Sequence, residues 1–105
     1  MKRICFVLNV RPDRLEEYRE RHRAVWPEMR AALAQSGWTD YTLFLRADGL
    51  LVGYLVTEDF EKAKAGMKSM PVNDRWQEHM APLFQGLETY ADDGMQPLEE
   101  VFHLD

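Results

Sequence analysis

The sequence predicts an α+β sandwich, a single antiparallel sheet with helices packed on one of its faces. Three observations predict it. The spacing of apolar residues alternates between period two and period three-to-four, in the order strand, helix, strand, strand, helix, strand. An Asp48-Gly49 pair between two alternating apolar runs is a strong hairpin signal. The chain has 105 residues, enough for one domain spanning 1–105 with one core and too few for two.

Residues 2–10 read as the first strand. Ile4, Phe6, Leu8 and Val10 share one face, and Arg3, Cys5, Val7 and Asn9 share the other. The opening MKRICFVLNV has no small-residue cleavage site, so a strand is expected there rather than a signal peptide. Arg11-Pro12-Asp13 forms a turn, with Asp13 expected to cap the following helix and Glu16 and Glu17 favouring its dipole. From Leu15 the apolar stripe runs through Tyr18, His22, Val25, Trp26, Met29 and Leu33. Arg19, Glu20, Arg21 and Arg23 fall on the opposite face, which is expected to be solvated. Pro27 has no N–H for the carbonyl of Arg23 and pushes Trp26 out of helical geometry. A break near Val25–Trp26 is therefore expected, with Pro27 restarting the helix and Gly37 ending it.

Tyr41–Arg46 and Leu50–Thr57 are the hairpin strands, and Gly53 marks a bulge or a close backbone approach. Asp59 caps a helix through Phe60, Ala63 and Met67. Met70-Pro71 opens another, with Val72, Trp76, Met80 and Leu83 as its stripe. Residues 85–97 read as a long loop, and Leu98–Leu104 as the last strand. This order is that of a ferredoxin-like sandwich (βαββαβ). Two helices cover only one face of the sheet. The other still carries Cys5, Val7 and Phe44, an apolar surface that suits a homodimer built by packing two sheets face to face.

Composition narrows the functional classes. No apolar run is long enough to span a bilayer, so no membrane role is expected. The net charge of −5, with thirteen unclustered basic residues, argues against nucleic acid. The single cysteine, Cys5, makes neither an internal disulfide nor a metal site, which points to a cytoplasmic protein. No histidine has a partner at metal-ligand spacing, and no glycine-rich phosphate loop or nucleophile elbow is present, so no metal or cofactor is expected.

What remains is the stretch Tyr18–Glu28. On a helix, Tyr18 and His22 lie one turn apart on one face. A lone histidine on an apolar stripe is more often structural than chemical. Here the helix break lies beside it, and Tyr41 and Trp76 come from elements that end near the same face. An imidazole titrating near neutrality suits proton transfer at an oxygen. His79, His103, Cys5, Trp26 and Trp38 read as structural. Such a polar, aromatic pocket suits either a sugar or a phenolic ring.

The chain resembles the L-rhamnose mutarotase family over essentially its whole length. The resemblance rests on Phe6-Val7 and Val10, Pro12-Asp13, the ungapped run EEYxxRHxxxWPE over residues 16–28, Tyr41, Arg75-Trp76 and Glu100-Val101-Phe102. It implies a dimeric α+β barrel without a cofactor that interconverts α and β anomers of L-rhamnose or a related 6-deoxyhexose. By motif position it makes His22 the proton donor, with Tyr18, Tyr41, Trp76 and Gln77 at the sugar. The family pattern has a second tryptophan where this chain has Gln77, and an amide supplies hydrogen bonds but no stacking face. The complementary base is left open among Tyr18, Glu28, Asp74 and a water. Two competing readings are a cofactor-independent monooxygenase of the same fold, which would take up oxygen, and a sugar-binding dimer, which would leave anomer exchange unchanged.

Overall fold

The structure, a computed structural model, describes residues 1–86 and 91–105. Its elements are β1 (Lys2–Asn9), α1 (Leu15–Arg23), α2 (Pro27–Gln35), β2 (Thr39–Leu45), β3 (Leu50–Thr57), α3 (Phe60–Lys68), α4 (Pro71–Met80), the single turn α5 (Ala91–Gly94) and β4 (Gln96–Leu98). The strands form one sheet in the order β2-β3-β1-β4, antiparallel throughout. This is the ferredoxin-like sandwich expected from the order of elements.

The alternation of β1 decides which face is inside. Phe6, Leu8 and Val10 are buried, whereas Cys5 and Val7 on the opposite face are only half-buried. In β3, Leu51, Gly53, Leu55 and Thr57 point into the core. Gly53 has no room for a side chain, since a Cβ there would stand 2.2 Å from Cζ of Phe6. It marks a close approach and not a bulge. The irregularity in the sheet lies between Thr39 and Thr42, where Asp40 adopts a φ of 49°.

The helical layer closes over that inner face. α1 stops at Arg23 and α2 restarts at Pro27, with Trp26 held extended at φ −55° and ψ 135°. Both features follow from the missing proline N–H and the restriction on the residue before it. The Asp59 carboxylate accepts from the Lys62 amide and caps α3. Asp13 does not cap α1. It lies in a 3-10 turn, Pro12–Arg14, and Arg14 occupies the cap position without a side-chain bond.

The C-terminal end differs most from the sequence expectation. The last strand is Gln96–Leu98, paired with Cys5–Val7 of β1, and not Leu98–Leu104. Pro97 has no amide to donate and is tolerated because β4 is an edge strand. Beyond it, Glu100 engages β1 through the Arg3 side chain at 2.7 Å in place of a backbone ladder. Part of the expected loop 85–97 is ordered as α5 and the start of β4, while residues 87–90 lie outside the described residues. No described helix is long and apolar enough to cross a membrane.

Candidate functional site

A cavity of about 470 Å³ lies between the helices and the sheet, with Val25 from the break between α1 and α2 in its lining, within the ~300–1,000 Å³ typical of small-molecule sites. Tyr18 and His22 from α1, Trp76 and Gln77 from α4, and Tyr41 from β2 all line it. The five residues picked from the sequence are thus brought together, from three elements far apart along the chain.

The α1 wall is a stacked pair. The Tyr18 and His22 rings lie 4.3 Å apart at 28°, as the i, i+4 spacing requires. The Trp76 ring stands nearly perpendicular to the His22 ring, with centroids 5.6 Å apart at 88°. His22 is further fixed by a hydrogen bond, because its Nδ1 lies 3.1 Å from the Tyr18 carbonyl oxygen. A carbonyl only accepts, so Nδ1 carries the proton of the neutral ring and Nε2 bears the free lone pair. Burial lowers the His22 pKa from its ordinary value, opposed by that same bond. Burial raises the Tyr18 phenol above its ordinary range. At neutral pH the wall therefore presents a neutral imidazole beside a protonated phenol, and Tyr18 is no base.

Nor do the carboxylates considered from the sequence reach the cavity. Glu28 is exposed and lies 3.5 Å from Arg75 Nη2, and Asp74 is exposed. Neither is part of the lining. Among the described residues no group of three or more His, Cys, Asp or Glu side chains is arranged to hold a metal ion.

The α4 wall holds a residue that the sequence reading passed over. Asn73 is buried, lines the cavity, and accepts a hydrogen bond from Gln77 Nε2 at 3.3 Å. Two amides one turn apart on an otherwise apolar stripe were the available signal. Arg21 was also misjudged. It is half-buried, and its guanidinium donates to the His79 carbonyl on α4.

The family model for L-rhamnose mutarotase matches residues 3–104. The chain belongs to the L-rhamnose mutarotase family. It is 39% identical to the L-rhamnose mutarotase of Oceanobacillus iheyensis and 40% identical to that of Bacillus subtilis, covering 100% of both partners in each case. The fold is shared with the crystal structure of an L-rhamnose mutarotase from Formosa agariphila, at a TM-score of 0.82, 23% identity and full coverage of both chains. A solved structure from Mycobacterium tuberculosis shares it more loosely, at a TM-score of 0.59 and 17% identity over 98% of this chain and 97% of that one.

Within this mutarotase fold the remaining histidines stand apart from the cavity lining. His79 is exposed and packs its ring 5.5 Å from Trp26, and His103 pairs with the Asp105 carboxylate at 2.9 Å. Trp38 is core, its indole N–H donating to the Ala63 carbonyl at 3.1 Å. Its ring also packs against Tyr41, with centroids 4.8 Å apart, and both rings line the cavity.

Proposed function

We propose that the protein is an isomerase that interconverts the α and β anomers of L-rhamnose, with His22 moving the proton. Full-length membership of the mutarotase family supports the reaction. The observation that carries the role of His22 is its Nδ1 held by the Tyr18 carbonyl on the cavity wall. That bond leaves Nε2 as the nitrogen that exchanges protons with a ligand.

The chemistry balances with this one ring. Nε2 takes the proton of the anomeric hydroxyl, and the imidazolium so formed is the proton donor to the ring oxygen. As the C1–O5 bond breaks, the C1–O1 bond becomes a carbonyl. Rotation about C1–C2 presents the other aldehyde face, and the reverse transfers close the ring as the opposite anomer. Positioned acid–base groups supply about 10²–10⁴-fold. Trp76 and Tyr41 give aromatic surface for the C–H face of the sugar, while the Tyr18 hydroxyl and the Gln77 amide suit its hydroxyls.

The working unit in this proposal is a homodimer. The sheet face turned away from the helices has Cys5, Val7, Val52 and Tyr54 half-buried and Phe44 60% exposed. A second copy packed sheet to sheet would cover it. A cytoplasmic setting suits the lone thiol of Cys5. Saturation-transfer NMR on a panel of aldoses tests the function. Faster anomer exchange for L-rhamnose than for the other sugars is the expected result, and no acceleration for any of them contradicts it.

A further inference from the structure

The two chemical walls of the cavity belong to helices that pack mainly on other elements. α4 lies chiefly on α2 and α3, and α1 touches the 3-10 turn Ala81–Leu83 that follows α4. Yet the His22 ring of α1 must stand nearly perpendicular against the Trp76 ring of α4. Outside the cavity, Arg21 spans the same gap. Its Nη1 donates to the His79 carbonyl, in the last turn of α4. Carbonyls there have no amide of their own helix to accept from, and the helix dipole favours a cation beside them.

A second contact aims the guanidinium. Nη2 of Arg21 lies 3.6 Å from the Glu17 carboxylate one turn earlier on α1. Glu17 is itself held by Arg14 through bonds of 2.7 and 2.9 Å, and the Arg14 bond lowers its pKa. One edge of the Arg21 fork is thus set on α1, and the other reaches α4. A guanidinium can serve both acceptors at once in a fixed plane. On the far side of the bridge, Trp76 and His79 lie three residues apart on α4 with rings 5.7 Å apart, so the carbonyl that Arg21 holds belongs to the same stretch of helix as Trp76.

We propose that Arg21 is a positioning residue for the exchange reaction, a clamp between α1 and α4 that sets where Nε2 of His22 stands relative to the Trp76 face. Arg21 does not line the cavity and touches no substrate. It acts through the registry of two helices, so its loss displaces the proton-transfer ring without removing any sugar contact. The proposal rests on anomer exchange at His22.

The test is steady-state exchange by NMR on L-rhamnose for wild type, Arg21→Met and Arg21→Lys, each rate scaled to the folded fraction from denaturant titration. Arg21→Met keeps the alkyl stem and removes the donors. It is expected to lower kcat roughly ten- to a hundred-fold, the scale of a misplaced reacting group, with KM changed less than about threefold. Arg21→Lys, which can still donate to the His79 carbonyl, is expected to recover most of the loss. Unchanged kcat in folded Arg21→Met overturns the clamp, as does an Arg21→Lys variant equally slow. A wild type that fails to accelerate exchange overturns the functional reading itself, so the two failures are told apart.

Discussion

The Nδ1 of His22 sits 3.1 Å from the carbonyl oxygen of Tyr18, its own i−4 neighbour on α1. That contact distinguishes the two ring nitrogens. Nδ1 is held by backbone, and in the proposed reaction Nε2 is the nitrogen that accepts a proton first.

The pH profile follows from this, with a definite sign. Burial lowers the His22 pKa from 6.5, so the ring is neutral and competent at neutral pH. After subtraction of the uncatalysed rate, activity should stay flat down to the ordinary imidazole value and fall only below it. The Tyr18 phenol, raised by burial, adds no limb near neutrality. A rate that instead climbs as the ring is protonated would mean that the imidazolium starts the reaction.

Gln77 is expected to act on binding more than on turnover. Gln77→Leu removes the amide while keeping similar bulk. A hydrogen bond worth about 1 kcal/mol corresponds to a KM for L-rhamnose raised roughly fivefold, with kcat less affected. The Oδ1 of Asn73 also loses its Gln77 donor, so stability should drop by about 0.5–1.5 kcal/mol, the net worth of one hydrogen bond. An unaltered KM in the folded variant would place the sugar elsewhere in the cavity.

The fold was readable where local chemistry decides it. Pro27 dictated the break after α1, Asp48-Gly49 the hairpin, and Asp59 the α3 cap. The five cavity residues were legible because Tyr18 and His22 share a helix face and the family motif supplies the rest. Asn73 and Arg21 were not. Both depend on which helix lies beside which, and no periodicity encodes the approach of the Arg21 guanidinium to a carbonyl on α4. The final strand was misplaced because the alternation of Leu98, Glu100, Phe102 and Leu104 looks like a ladder. Val101, Phe102 and Leu104 are in fact 84%, 77% and 80% exposed, so that alternation buries nothing within this chain.

Phe44 provides the test of the assembly. It is exposed on the sheet face opposite the helices, where the proposed partner packs. Phe44→Asp would place a charge in that interface, which is costly without a partner. Sedimentation at low micromolar concentration should show a dimer for wild type and a shift toward monomer for the variant. A monodisperse wild-type monomer would count against sheet-to-sheet pairing.

Gly53 is a stability position on the inner side of the same sheet. A Cβ there meets the buried Phe6 ring at 2.2 Å, and Phe6 is fully enclosed. Gly53→Ala should therefore destabilise by about 1–3 kcal/mol, the usual cost of overpacking a core. Urea titration reads this directly, and an unchanged midpoint would show that the ring has somewhere to go.

The most direct measurement is saturation-transfer NMR on L-rhamnose with wild type and His22→Ala side by side, both confirmed folded by circular dichroism. The account predicts rapid anomer exchange with wild type and a rate close to the uncatalysed one with His22→Ala, a loss of about 10²–10⁴-fold. Full exchange in the folded alanine variant would contradict it.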